Sequence, residues 1–204
     1  MDTKSLVQIP GYRYNEYLLI LNPHEDLRNK IMQIKKEFTD KYKAPTATYG
    51  KPRITMANFV QLEIMEEKII NSLKMIAMSY HPFKLELKDF GSYPSHSIFI
   101  NVATKLQVQK LVKELKAAQR LMKVNIDNKP HFIDDPNISI ALKLKPWQYE
   151  QGWLEFSHRH FTGSFIADSM LLIKRPVGEN NYQIVQRFEF MNLPVATKQG
   201  DLFA

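Results

Sequence analysis

The sequence predicts an α+β protein of two pseudo-symmetric lobes, each an antiparallel sheet with helices on its outer face, and a cleft between them. Three observations predict it. Pro52-Arg53-Ile54-Thr55-Met56-Ala57 and Pro136-Asn137-Ile138-Ser139-Ile140-Ala141 read as near copies, 84 positions apart from Arg53 to Asn137. In both halves the copy is followed by a helical stretch and then by two long β-type runs. Within each copy the residues alternate as a half-buried strand does. Arg53 and Thr55, like Asn137 and Ser139, therefore share one face, while Ile54, Met56, Ile138 and Ile140 point into a core.

The elements follow in order. Residues 1–15 read as an irregular lead-in with a turn at Pro10-Gly11, and 17–21 as an opening strand. Asn22-Pro23-His24-Glu25 offers a cap, a proline at the first helical position and an early carboxylate. Leu27, Ile31, Ile34 and Phe38 then recur at helical spacing to about Lys41. The first copied strand spans 53–60, and Leu62, Met65, Ile69, Leu73 and Ile76 mark a second amphipathic helix. Residues 83–93 and 97–102, broken at Pro94, predict an antiparallel pair. Thr104-Lys105-Leu106-Gln107 has the form of a capping box, and it opens a helix with Val108, Leu111, Leu115, Ala118 and Met122 inward. The second copied strand spans 137–144, and Pro146 opens a short helix to about Ser157. Strands are expected over 164–174 and 182–190 around a Gly178-Glu179-Asn180-Asn181 turn, with a tail over 193–204. No linker interrupts this pattern. One domain over 1–204 is expected, with internal repeats over roughly 45–104 and 130–190.

Composition narrows the function classes. Among 204 residues, 44% are hydrophobic and 24% charged, the balance of a globular domain with enough chain for a real core. The absence of cysteine excludes disulfides, thiol nucleophiles and Cys-ligated metals. Residues 17–21, the longest apolar run near the start, are too few for a signal peptide or membrane span, so no membrane partner and a cytoplasmic location are expected. The net charge of +7 is compatible with a polyanionic partner. Lys105, Lys110, Lys113, Lys116, Arg120 and Lys123 stand against Glu114 alone along one helix. They form either a solvated face or a basic flank for phosphate backbones.

The doubled Pro-x-Ile-Thr/Ser-x-Ala strand, with its flanking runs 17–21, 83–87, 97–102 and 183–188, resembles the two-histidine (2H) phosphoesterase superfamily. The likeness covers residues 15–190 and points to the 2'-5' RNA ligase/cyclic phosphodiesterase-like branch. Members carry His-x-Thr/Ser twice at a comparable separation, on a strand of each lobe. The resemblance implies a cleft in which one imidazole takes a proton and the other gives one, while the hydroxyl residues hold the phosphate. This chain departs from the pattern where it matters most, with Arg53 and Asn137 in place of the two histidines.

Histidine suits proton transfer because its pKa lies near working pH. Arginine stays protonated and asparagine does not titrate, so neither can shuttle a proton. Arg53 can instead grip phosphate by two charge-assisted contacts, Asn137 can donate from its amide, and Thr55 and Ser139 can bond the same oxygens. Arg53, Thr55, Asn137 and Ser139 are the candidate phosphate-binding residues, and the catalytic residues stay unassigned. Taken singly, each has an ordinary structural role open to it: an ion pair for Arg53, a turn cap for Asn137, and common strand residues in Thr55 and Ser139.

His131, in the loop feeding the second copied strand, is the candidate substitute acid/base. His24, His81, His96, His158 and His160 read as surface or structural residues, and no spacing suits a metal. No cofactor is expected. Trp147, Tyr149, Trp153 and Phe156 could stack on bases, but their helical spacing reads more simply as core. The expected partner is an RNA end or nucleotide phosphate, bound by a protein of impaired catalysis. The alternatives are an active 2',3'-cyclic phosphodiesterase or 2'-5' RNA ligase-like enzyme using a residue such as His131, and a non-catalytic protein-interaction module.

Overall fold

The computed structural model describes residues 11–48 and 50–193. The rest of the predicted lead-in and tail lies outside them. Among the described residues nine strands and five α-helices follow one another: β1 (Tyr14–Leu21), α1 (Glu25–Tyr42), β2 (Ile54–Leu62), α2 (Glu66–Ser79), β3 (Phe83–Tyr93), β4 (Ser97–Val102), α3 (Lys105–Leu115), α4 (Gln119–Met122), β5 (His131–Phe132), β6 (Asn137–Ala141), α5 (Pro146–Phe156), β7 (Thr162–Ala167), β8 (Ser169–Pro176) and β9 (Gln183–Glu189). They build two antiparallel sheets, one ordered β5-β2-β1-β8-β9 and the other β6-β4-β3-β7. Helices α2, α3 and α4 pack on the first sheet, and α1 and α5 on the second. This is the two-lobed α+β architecture expected from the copies.

The chain crosses between the sheets. The β3–β4 hairpin, which follows the first copy in sequence, lies in the sheet of the second copy, and β8 and β9 lie in the sheet of the first. Residues 164–174, expected as one strand, are two. The backbone leaves β7 against β3, passes Asp168, and enters β8 against β1. Each lobe is completed by strands from the other half of the chain, which leaves no independent lobe to detach.

Two helix starts and one strand end differ from expectation. Helix α1 begins after His24, whose Nδ1 accepts the Leu27 amide, so His24 rather than Asn22 is the cap. Thr104 precedes α3 but makes no capping bond. Its Oγ1 accepts from the Glu86 amide and ties the helix start to β3. The second copied strand ends at Ala141, and Lys143 turns through φ 54°.

The main apolar core fills the space between sheets and helices. It includes Ile54, Met56, Ile138 and Ile140 from the copies and all five inward residues of the 105–122 segment. In α5, Phe156 is buried and Tyr149 and Trp153 pack partly buried against the core, as the helical spacing implies, while Trp147 is exposed. Gly152 makes α5's close approach to α1 possible: a Cβ there would lie 2.8 Å from the ring of fully buried Phe38. Gly152→Ala is therefore expected to destabilise the protein by about 1–2 kcal/mol. Overpacking outweighs the roughly 1 kcal/mol gained in helix propensity. Urea unfolding checks it, and a stabilised variant would contradict the close packing.

Candidate functional site

Between the two sheets lies a cleft of about 630 Å³. Arg53 and Thr55 reach it from β2 and its approach, and Asn137 and Ser139 from β6. The structure brings together all four residues proposed from the copies, and His131 joins them from β5. A bulge between Leu19 and Ile20 shifts the pairing of β1 with β2, setting Ile20 opposite Thr55 and Leu18 opposite Asn58. The next cleft residue after Thr55 is consequently Asn58, which simple alternation misses. Asn58 Oδ1 is buried and accepts no hydrogen bond among the described residues, so it is an acceptor awaiting a donor.

The wall around β2 is cationic. Arg53 is half-buried and stacks over the Tyr182 ring, 5.0 Å from its centroid. Arg175 sits 4.7 Å from the same ring and is paired to Glu16 at 2.5 Å. Arg53 itself has no ion pair among the described residues. Burial works against its charge and Arg175 adds to that, while Tyr182 opposes it. An arginine stays protonated even so. Lys35 of α1 lies in the same wall, 4% exposed, with Nζ donating to the Gly50 carbonyl at 3.0 Å. Exposed Lys51 completes this rim. The sequence reading missed Lys35, since a Lys35-Lys36 pair on an amphipathic helix looks solvated.

Burial first, and then the Arg53 charge, push the Lys35 ammonium down to about 8. The consequence for stability has a definite sign. Below pH 8 both folded and unfolded chains carry the charge, and the folded state bears its desolvation. From about pH 8 to about 10.5 the folded chain releases the proton first, so unfolding takes up a proton and stability rises with pH. The shift corresponds to roughly 3 kcal/mol. Lys35→Met should remove that rise and stabilise the protein at pH 7 by about 1–3 kcal/mol, the lost Gly50 contact offsetting part of the gain. Denaturant titrations at pH 7 and 9.5 measure it. A variant less stable than the parent at pH 7 would contradict the cost assigned to this buried cation.

The opposite wall carries a hydrogen-bonded cluster. Asn137 Nδ2 donates to the Tyr93 hydroxyl at 3.3 Å and to the Asp135 carbonyl at 3.2 Å, so the amide expected to meet a ligand is engaged within the protein. Tyr93 donates to Asp135 Oδ2 at 2.9 Å, and Lys105 Nζ meets Asp135 Oδ1 at 2.6 Å. The Lys105 contact holds the Asp135 carboxyl below its usual range, aided by the Tyr93 bond. Burial first, and then Asp135, push the Tyr93 phenol up, so it remains a donor. The hydroxyls of Thr55 and Ser139 make no hydrogen bond among the described residues and stay available.

A second hollow of about 520 Å³ shares Gly50, Lys51 and Arg53 with the cleft. Leu171 and Ile173 line it and belong to a small apolar cluster with Leu18 and Ile20 on this face of the first sheet.

The remaining histidines lie elsewhere. His24 caps α1, His81 stacks on Tyr80, and His96 bonds the Pro94 carbonyl. His158 bonds the Leu154 carbonyl beyond α5, and His160 meets Asp89. Among the described residues no group of three or more His, Asp or Glu could hold a metal. No described helix is long and apolar enough to cross a membrane.

Solved structures share this fold. E. coli LigT complexed with 3'-AMP matches with a TM-score of 0.60 at 15% identity, over 88% of this chain and 98% of LigT. TT0787 of Thermus thermophilus matches at 0.59 and 15% identity, over 86% of this chain and 98% of that one. A crystal structure of a phosphoesterase matches at 0.55 and 14% identity, over 86% and 98% of the two chains. No family model and no curated protein sequence matches the chain. At such identities the likeness is one of fold.

Proposed function

We propose that this protein is a divergent 2H phosphoesterase-like protein that binds a phosphodiester or cyclic-phosphate group of an RNA end or a nucleotide, with its acid/base catalysis impaired. The observation that carries this reading is Arg53. It is a half-buried guanidinium lining the cleft beside two available hydroxyl residues, without a carboxylate of its own among the described residues. A buried cation without a counter-ion is costly, and an anionic ligand relieves that cost. LigT structures hold 3'-AMP, ATP and phosphate, which supports a nucleotide phosphate as the ligand here. Arg53 and Asn137 in place of histidines support impaired catalysis.

Titrating the protein with a short RNA ending in a 2',3'-cyclic phosphate, against the same RNA with a 3'-hydroxyl end, tests the reading. The cyclic-phosphate end is expected to bind tighter, with affinity falling as salt rises. Equal binding of both ends would remove the phosphate from the site. The position of His131 in the cleft favours a second reading, a working phosphodiesterase in which this imidazole transfers the proton.

A further inference from the structure

The cluster around Asp135 has the form of an occupied anion site. A carboxylate is held by a lysine ammonium on one oxygen and a tyrosine hydroxyl on the other, and the amide of Asn137 donates to the carbonyl of the same residue. Three kinds of donor, from α3, β3 and β6, converge on one residue of the loop that joins β5 to β6. This loop lines the cleft. Helix α3 and the turn that follows it hold the loop at two further points, with Gln109 Nε2 donating to the Asp134 carbonyl at 2.8 Å and Lys116, just beyond α3, lying 3.8 Å from the Asp134 carboxylate. The carboxylate is also nearly half exposed, so an incoming group can compete for its partners.

We propose that Asp135 is a built-in anion filling a second anion subsite beside the cleft, formed by Lys105 and Tyr93, and that it thereby restricts the cleft to ligands with a single phosphate. The inference rests on the phosphate-binding reading above and adds a specificity rule to it. A ligand phosphate at Arg53 leaves the Asp135 wall undisturbed. A second phosphate on the same ligand meets a carboxylate where it needs donors, and like charges at close range repel. Without that carboxylate, the same wall presents an ammonium and a phenolic hydroxyl, a pair suited to phosphate oxygens, while the Asn137 amide stays bonded to the Asp135 carbonyl. The selectivity thus comes from a repulsive element on an otherwise attractive surface.

Adenosine 2',3'-cyclic phosphate and its 5'-phosphorylated form test this by calorimetric titration. The parent protein should bind the 5'-phosphorylated ligand no better than the plain one. Asp135→Asn and Asp135→Ala should each bind it at least about fivefold tighter, the size of one close charge interaction in water. Affinity for the plain ligand should change less than about twofold, as for an independent position. Lys105→Ala in the Asp135→Ala background should cancel the gain. Asp134→Asn, which removes the same charge from the same loop outside the donor set, should leave the ratio of affinities near the parent value. Both Asp135 variants replace an exposed side chain, and thermal melts confirm that they fold. If Asp135 variants bind the two ligands in the parent ratio while binding still requires Arg53, the specificity rule is wrong and the phosphate reading stands. If neither ligand binds, or Arg53 is dispensable, both fall.

Discussion

Arg53→Ala is expected to weaken binding of an RNA with a 2',3'-cyclic phosphate end by about ten- to a hundredfold. A hydrogen bond to a charged partner contributes about 1.5–3 kcal/mol, and each 1.4 kcal/mol is a factor of about ten in affinity. Arg53 is well placed to reach this range. Tyr182 holds its guanidinium from one side, which reduces the freedom lost on binding, and the half-buried setting limits screening by salt. Ser139→Ala removes one neutral hydroxyl and should cost several-fold less. Arg53→Lys keeps the charge but loses the fork that spans two oxygens, so it should fall between the two. The comparison is a titration of the three variants at fixed salt. Equal affinity for Arg53→Ala and the parent would show that the cleft is not the site, and the protein-interaction module would then be the leading account.

Hydrolysis of 2',3'-cyclic phosphates or 2'-5' linkages is expected to be absent or very slow, and a double replacement should raise it. General acid/base help typically supplies about two to four orders of magnitude in rate. Arg53→His with Asn137→His places two imidazoles in the lining of the cleft. At position 137 the new ring would stand beside the Tyr93 hydroxyl and the Asp135 carbonyl, which now accept from the amide and could orient the imidazole. Single-turnover assays on the parent and double variant should differ by at least about a hundredfold. Turnover by the parent at ordinary enzyme rates would defeat the prediction. If His131→Ala then abolished it, the enzyme reading would replace the binding one.

The parts of the fold legible in sequence are those whose signals are local. The bounds of β3 and β4 coincide with expectation because Pro94, Ser95 and His96 force a turn between two clear β-type runs. The inward stripe of α3 and its continuation was legible because burial follows the helical period. The break at Asp168 was not, since the apolar pattern continues through it and only the partners of β7 and β8 differ. At the site, the doubled motif named Arg53, Thr55, Asn137 and Ser139, because a repeat of residue types on one strand face is visible in one dimension. Lys35, Tyr93 and Asp135 carry no such mark. Lys35 is buried by a loop fifteen positions away, and Tyr93 meets Asp135 across forty-two.

By itself, then, the sequence determined the class of fold, the two strands that carry the polar pairs, and that Arg53 and Asn137, neither of which transfers a proton, lead them. These follow from side-chain chemistry and periodicity, which do not depend on what lies opposite. Only the tertiary structure decided which half of the chain completes each sheet, that the cleft has a cationic wall facing one that carries the Asp135 cluster, and that the Asn137 amide is engaged. Those outcomes depend on burial and charge pairing between residues distant in sequence, and both are set by how strands cross from one sheet to the other.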